Sequence, residues 1–156
     1  VRAMDLDAVD AGLLQADRTV HELLPDTALF GIGASLPTPF GTPSEFSDAQ
    51  IAEWLEQTWV TASAYHHTLL VSHTPPYATA CDRLSNGRHV GSEALRDFIV
   101  TRQPDLVLCG HIHESRARDT LGQTQILNVG AFADGCYARL RYQNDKFFAE
   151  MLCLQK

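Results

Sequence analysis

Two hydrophobic periods alternate along the first two thirds of this chain. Short, nearly continuous apolar runs occur at residues 27–32, 68–72 and 106–109. Each is long enough for a buried strand and too short for a helix. Between the first two runs, Ile51, Trp54, Leu55 and Trp59 recur at helical spacing and predict one buried stripe. Ser47-Asp48-Ala49-Gln50 in front of them has the form of a capping box, so a helix is expected from there to about residue 64. A second helical pattern covers residues 92–102, with Ser92 as its N-cap and Pro104 beyond its end. Strand, helix, strand in this order implies parallel pairing through a right-handed crossover.

From residue 115 the period becomes that of strands. Residues 115–118 and 124–129 read as two of them, with Leu121-Gly122 in a turn. Residues 137–142 and 146–154 form a hairpin around Gln143-Asn144-Asp145. At the other end, residues 3–14 read as a helix whose Asp5, Asp7 and Asp10 are assigned to a solvated face or a favourable helix start, not to a cation site. Residues 20–24 fit no single element. Two loops stand out, the proline- and glycine-rich residues 33–43 and the longer residues 75–90. Loops of this length inside a compact domain are often functional. The expected class is α/β (α+β), one domain over residues 1–156, with a parallel βαβ core followed by antiparallel C-terminal strands.

Composition narrows this little. Of 156 residues, 45% are hydrophobic and 20% charged, the balance of an ordinary globular protein. The net charge of −7 argues against a general nucleic-acid surface, which would be basic. It leaves room for a phosphorylated small molecule, because bound cations supply local positive charge. No apolar run reaches membrane-spanning length. Cys81, Cys109, Cys136 and Cys153 form no C-x-x-C pair; Cys109 is expected in the core, and free thiols favour a cytoplasmic, reducing setting. Oligomeric state is open. The first residue is Val1 where a natural chain opens with Met, so a lost true start is expected.

The candidate chemistry sits where the strands end. After the run at residues 106–109 come Gly110, His111 and His113; after the run at residues 68–72 comes His73, followed by Pro75-Pro76. In extended backbone His111 and His113 point to one side, with Gly110 as the pivot. Parallel neighbours put their C-terminal ends on one sheet edge, where open α/β folds bind ligands. His73, His111 and His113 are therefore expected to meet as metal ligands. His66 and His67 are assigned to surface or core. His89 and Ser92 lie at the start of the second helix, where an anion such as phosphate could bind. Glu114 is a candidate to orient one of the histidines. A single zinc on the three histidines with an open position and a non-catalytic interaction module remain as alternatives.

Ser72-His73-Thr74-Pro75-Pro76, Gly91-Ser92-Glu93-Ala94-Leu95, Gly110-His111-Ile112-His113-Glu114 and Asn128-Val129-Gly130 together resemble the C-terminal half of a calcineurin-like metallophosphoesterase. The loop Pro37 to Pro43 is similar to a prokaryotic branch of that family. The resemblance implies a β-sandwich flanked by helices and two divalent metals, Mn, Fe or Zn, acting on a phosphoester. His73 and His111 would bind one metal and His113 the other. Asn128 would lie near the active site, with Val129 where the family has proline. Asn128 and, from its place before the second helix, His89 are expected to bind the substrate. The family's Asp-x-His, Gly-Asp and Gly-Asn motifs are absent from these residues. The chain is therefore expected to be an N-terminally truncated piece, inactive alone, whose remaining ligands lie upstream.

Overall fold

The computed structural model describes residues 14–154. The helix expected over residues 3–14, with Asp5, Asp7 and Asp10, lies outside the described residues except for Leu14, which is not helical. The elements are β1 (Val20–Leu24), β2 (Thr27–Ile32), α1 (Asp48–Ala62), β3 (His67–Ser72), α2 (Glu93–Arg102), β4 (Leu106–Cys109), β5 (Arg118–Leu121), β6 (Thr124–Asn128), β7 (Cys136–Gln143) and β8 (Lys146–Cys153). Six strands form a mixed sheet in the order β1-β2-β3-β4-β6-β5. The inner four are parallel, and β1 and β5 run antiparallel at the edges. The hairpin β7–β8 is a separate two-stranded sheet.

Along the inner strands, neighbouring side chains go to opposite faces. Phe30, Leu70, Val107 and Ile126 join Ile51, Leu55, Leu95 and Ile99 of the two helices in one core. Leu69, Leu106 and Leu127 face the other way, against Phe147 and Ala149 of the hairpin. The helices cover one face and the hairpin part of the other, where Leu29, Val71 and Leu108 stay half-buried. Apolar side chains on both faces make the strands read as unbroken apolar runs. Each large side chain buried this way contributes roughly 1.5–3 kcal/mol by leaving water.

Local signals place the helices. Ser47 Oγ accepts from the Gln50 N–H and Gln50 Oε1 accepts from the Ser47 N–H, which completes the capping box of α1. Ile51 and Leu55 are buried, and Trp54 and Trp59 pack against the same core. Ser92 caps α2 through the Leu95 N–H. Asn144 and Asp145 make the β7–β8 turn with φ of 52° and 61°, a left-handed pair that Asn and Asp tolerate.

Three expectations need correction. Residues 20–24 are a strand, β1, paired antiparallel with β2. Ser115 is not in a strand: it ends a 3-10 turn, His113–Ser115, and the strand starts at Arg118. The Ser115 hydroxyl donates to the Arg83 carbonyl, which ties that turn to the loop of residues 75–90. Finally, two of the four thiols are paired. Cys136 and Cys153 lie opposite each other in the hairpin register and form a disulfide. Cys81 and Cys109 are free and buried. The pairing of two thiols removes the argument for a reducing compartment from free cysteines. Among the described residues, no helix is long and apolar enough to cross a membrane.

Candidate metal centre

The parallel ladder of β2, β3 and β4 continues past the strand ends and carries the candidate ligands with it. The His73 N–H donates to the Ile32 carbonyl at 2.9 Å, and the Gly110 N–H donates to the His73 carbonyl at 3.2 Å. These bonds set His73 and the residue pair Gly110-His111 side by side at the C-terminal edge. The result is a separation of 2.9 Å between His73 Nε2 and His111 Nδ1. His113 lines the same cavity of about 520 Å³, together with Gly33, Ser35 and the Thr42–Ser44 turn.

His111 reaches this position by a route other than the extended backbone expected. Its φ is 64°, and the Ile112 N–H closes a three-residue turn on the Gly110 carbonyl at 2.7 Å. The left-handed residue is thus the histidine, not the glycine before it, because Gly110 is still held in the ladder by His73. A turn of this kind is strained for a residue with a side chain and must be held from outside. Asn128 holds it. Its Nδ2 donates to the Ile112 carbonyl and to the Cys81 carbonyl, each at 2.9 Å, and its Oδ1 accepts from the Gly130 N–H at 3.0 Å.

Asn128 is fully buried. The expectation that it faces a substrate gives way to an internal position, for a physical reason: it directs its amide hydrogens and its oxygen at main-chain groups. Glu114 also departs from its expected place. Its Oε2 accepts from the Ser85 N–H at 3.0 Å and so fastens the loop of residues 75–90 rather than a histidine. At the start of α2, the anion position foreseen near Ser92 is taken by the chain itself. The carboxylate of Asp48 accepts from the Ala94 N–H at 2.9 Å and from the Ser92 hydroxyl, a favourable charge for a helix N-terminus.

His89 lies in the same loop, outside the wall of the three-histidine cavity. Its Nδ1 meets Asp82 Oδ1 at 2.6 Å. Asp82 is fully buried and also accepts from the Ala78, Thr79 and Gly91 N–H groups. One carboxylate therefore shapes the loop and fixes how the imidazole is turned.

The electrostatics of the cavity suit metal ligation. Burial, and then the neighbouring His111 and His113, lower the His73 pKa below its ordinary value. Burial and then His113 do the same for His111, opposed by the Glu45 carboxylate. Both rings are therefore neutral near pH 7, with lone pairs to offer. The wall also holds an unsatisfied group. Ser35 is buried, and among the described residues its Oγ has no hydrogen-bond partner. Convergent neutral imidazoles beside an orphaned hydroxyl fit a cation and a polar ligand.

Comparison with known proteins identifies the family. The family model described as metallophosphoesterase, calcineurin superfamily, matches residues 49–152. The chain belongs to that superfamily. This metallophosphoesterase domain is 35% identical over 127 residues to an uncharacterized protein of Methanocaldococcus jannaschii, covering 79% of this chain and 56% of the relative. The domain thus spans little more than half the length of that relative. A crystal structure of a Thermus thermophilus protein has the same fold, with a TM-score of 0.60 and 18% identity, covering 86% of this chain and 57% of that one.

Two residues that shape the loops around the candidate site carry no mark in the sequence. Glu45 Oε1 accepts from the Thr38 hydroxyl, the Thr42 N–H and the Thr42 hydroxyl at 2.6–2.8 Å, folding the proline-rich loop onto the cavity. Those hydroxyl bonds, first from Thr38 and then from Thr42, lower its pKa to about 2. Asp82 is equally silent, one acid in an irregular loop. Only the proline and glycine density of residues 33–43 signalled that this loop borders a site.

Proposed function

We propose that this domain contributes one wall of a two-metal centre that hydrolyses a small-molecule phosphoester. His73 and His111 would hold one divalent cation and His113 the second, with the remaining ligands supplied by chain outside these 156 residues. The observation that carries the reading is the 2.9 Å approach of His73 Nε2 to His111 Nδ1, in a cavity shared with His113, in a member of this superfamily. The donor set of imidazoles accommodates Mn²⁺, Fe or Zn²⁺.

A pair of divalent cations bound there supplies charge stabilisation to a phosphoryl group and activates water at neutral pH. The rest is the work of the chain. Asn128 holds the strained turn that aims His111. Glu45 folds the loop that brings Thr42, Pro43 and Ser35 to the cavity wall. The Ser35 hydroxyl, in the cavity wall and without a partner among the described residues, would donate to an oxygen of the bound ester. Asp82 keeps the Nδ1 side of His89 occupied and so fixes that ring within the loop of residues 75–90.

The test is hydrolysis of an aryl phosphodiester and an aryl phosphomonoester with Mn²⁺. The 156-residue chain is expected to show little or no turnover, and a longer chain carrying the upstream residues to show turnover that His111→Ala abolishes. Robust hydrolysis by the short chain would overturn the account of shared ligands. An unaffected rate in His111→Ala would remove that residue from the site.

A further inference from the structure

A second group of metal-ligating side chains sits at the other end of β3, roughly 20 Å along the strand from His73. His66, His67 and Asp145 each present one ligand atom, and the three atoms lie within 4.8 Å of one another. His67 Nε2 is 3.1 Å from Asp145 Oδ1, and His66 Nε2 is 3.8 Å from Asp145 Oδ2. For zinc bonds of about 2.0–2.1 Å in a tetrahedron, ligand atoms stand about 3.3 Å apart. The two imidazoles approach the two oxygens of Asp145 on either side of that value, and the 4.8 Å limit on every pair leaves about 1.5 Å or less to close. His66 and Asp145 are exposed and can make the small adjustment, whereas His67 is buried.

The cluster is held from several sides. Asp26 Oδ1 accepts from the His66 N–H at 3.0 Å, and the Asp26 carbonyl accepts from the His67 N–H at 3.1 Å. The left-handed turn of β7–β8 delivers Asp145, which also accepts from the Tyr142 hydroxyl at 2.7 Å. Behind His67 stands Asp105. Its Oδ1 meets His67 Nδ1 at 3.2 Å, and its Oδ2 accepts from the Thr68 N–H at 2.8 Å. A main-chain amide thus orients a carboxylate, and the carboxylate orients an imidazole whose other nitrogen points into the cluster. That is the support metal-bound histidines need, and an acidic surface patch would lack it.

We propose that His66, His67 and Asp145 form a binding site for a zinc-class divalent cation, distinct from the cavity of His73, His111 and His113, which fastens the β7–β8 turn to the start of β3. Two imidazoles and one carboxylate leave a fourth position for water, a donor set that favours zinc over magnesium or calcium. His67 keeps its Nδ1 proton for Asp105 and gives any proton on Nε2 to solvent when the cation binds. The cation bridges elements 78 residues apart in the chain. The proposal does not depend on the phosphoesterase reading.

The test is calorimetric titration of the chelator-stripped chain with zinc, with His73, His111 and His113 all changed to Ala so that the first cavity is silent. One zinc per chain is expected. His66→Ala and Asp145→Ala, both at exposed positions, should each abolish uptake, and Asp105→Asn should weaken it about 10–100-fold. Circular dichroism checks that each variant is folded. If the triple background fails to fold, the unaltered chain must lose one equivalent of zinc on His66→Ala. No uptake, uptake that survives both single changes, or magnesium bound as tightly as zinc would overturn the assignment.

Discussion

Asn128 Nδ2 lies 2.9 Å from the Ile112 carbonyl, and through this bond a residue at the end of β6 holds the turn that aims His111. The same amide group bonds Cys81 and Gly130. Replacing Asn128 by Ala leaves the buried Cys81 carbonyl without its partner, at a cost of about 1–3 kcal/mol. It also removes one of two bonds to the Ile112 carbonyl, which keeps the Ser115 N–H, and frees the half-buried Gly130 N–H. Asn128→Ala is expected to lower stability in urea unfolding by about 1–3 kcal/mol and to weaken metal uptake at the three-histidine cavity. A change below about 0.5 kcal/mol with unaltered uptake would remove Asn128 from this role.

The positive φ of His111, 64°, separates two substitutions that otherwise look alike. Glycine occupies the left-handed region without penalty, and alanine pays about 1 kcal/mol there. His111→Gly should therefore be more stable than His111→Ala by about that amount, although both lose the imidazole. Equal stabilities, or alanine the more stable, would show that the turn does not persist in solution.

Glu45 gives a pH signature. Its folded pKa of about 2 lies below the ordinary 4.5, so its contribution to loop stability is fully present above pH 4.5 and fades as pH falls towards 2. The stability difference between the parent chain and Glu45→Gln should be constant above pH 4.5 and close below it. A gap that does not change across that window would mean that the Thr38 and Thr42 bonds are not made by the ionised carboxylate.

The hairpin disulfide is open to a direct count. Cys136 and Cys153 close a loop of 17 residues, for which the loss of chain entropy in the unfolded state predicts about 3 kcal/mol. Unfolded, unreduced protein should titrate two thiols, and reduced protein four. Reduction should lower the unfolding midpoint. Four reactive thiols without reductant would show the pair to be open.

The parts of this fold that could be read from sequence are those decided within a few residues. The capping box at Ser47, the cap at Ser92, the Asn144-Asp145 turn and the apolar runs of β2, β3 and β4 each report local geometry or two-sided burial. The three histidines were legible for a related reason: each follows a buried strand, and parallel strands share one C-terminal edge. Their conformation was not legible. Spacing alone suggested extended backbone, whereas the hydrogen bond from Gly110 to His73 moves the bend onto His111.

What the sequence settled by itself was the kind of each main element and the edge on which His73, His111 and His113 gather, because periodicity, caps and turn residues act through near neighbours. What tertiary structure alone decided was the partner of each polar side chain. Asn128 turns inward to Cys81 across 47 residues, Asp48 takes the start of α2 across 46, and His67 meets Asp145 across 78. Buried polar groups must find partners wherever the packed chain brings them, and no local pattern of residues encodes which ones those will be.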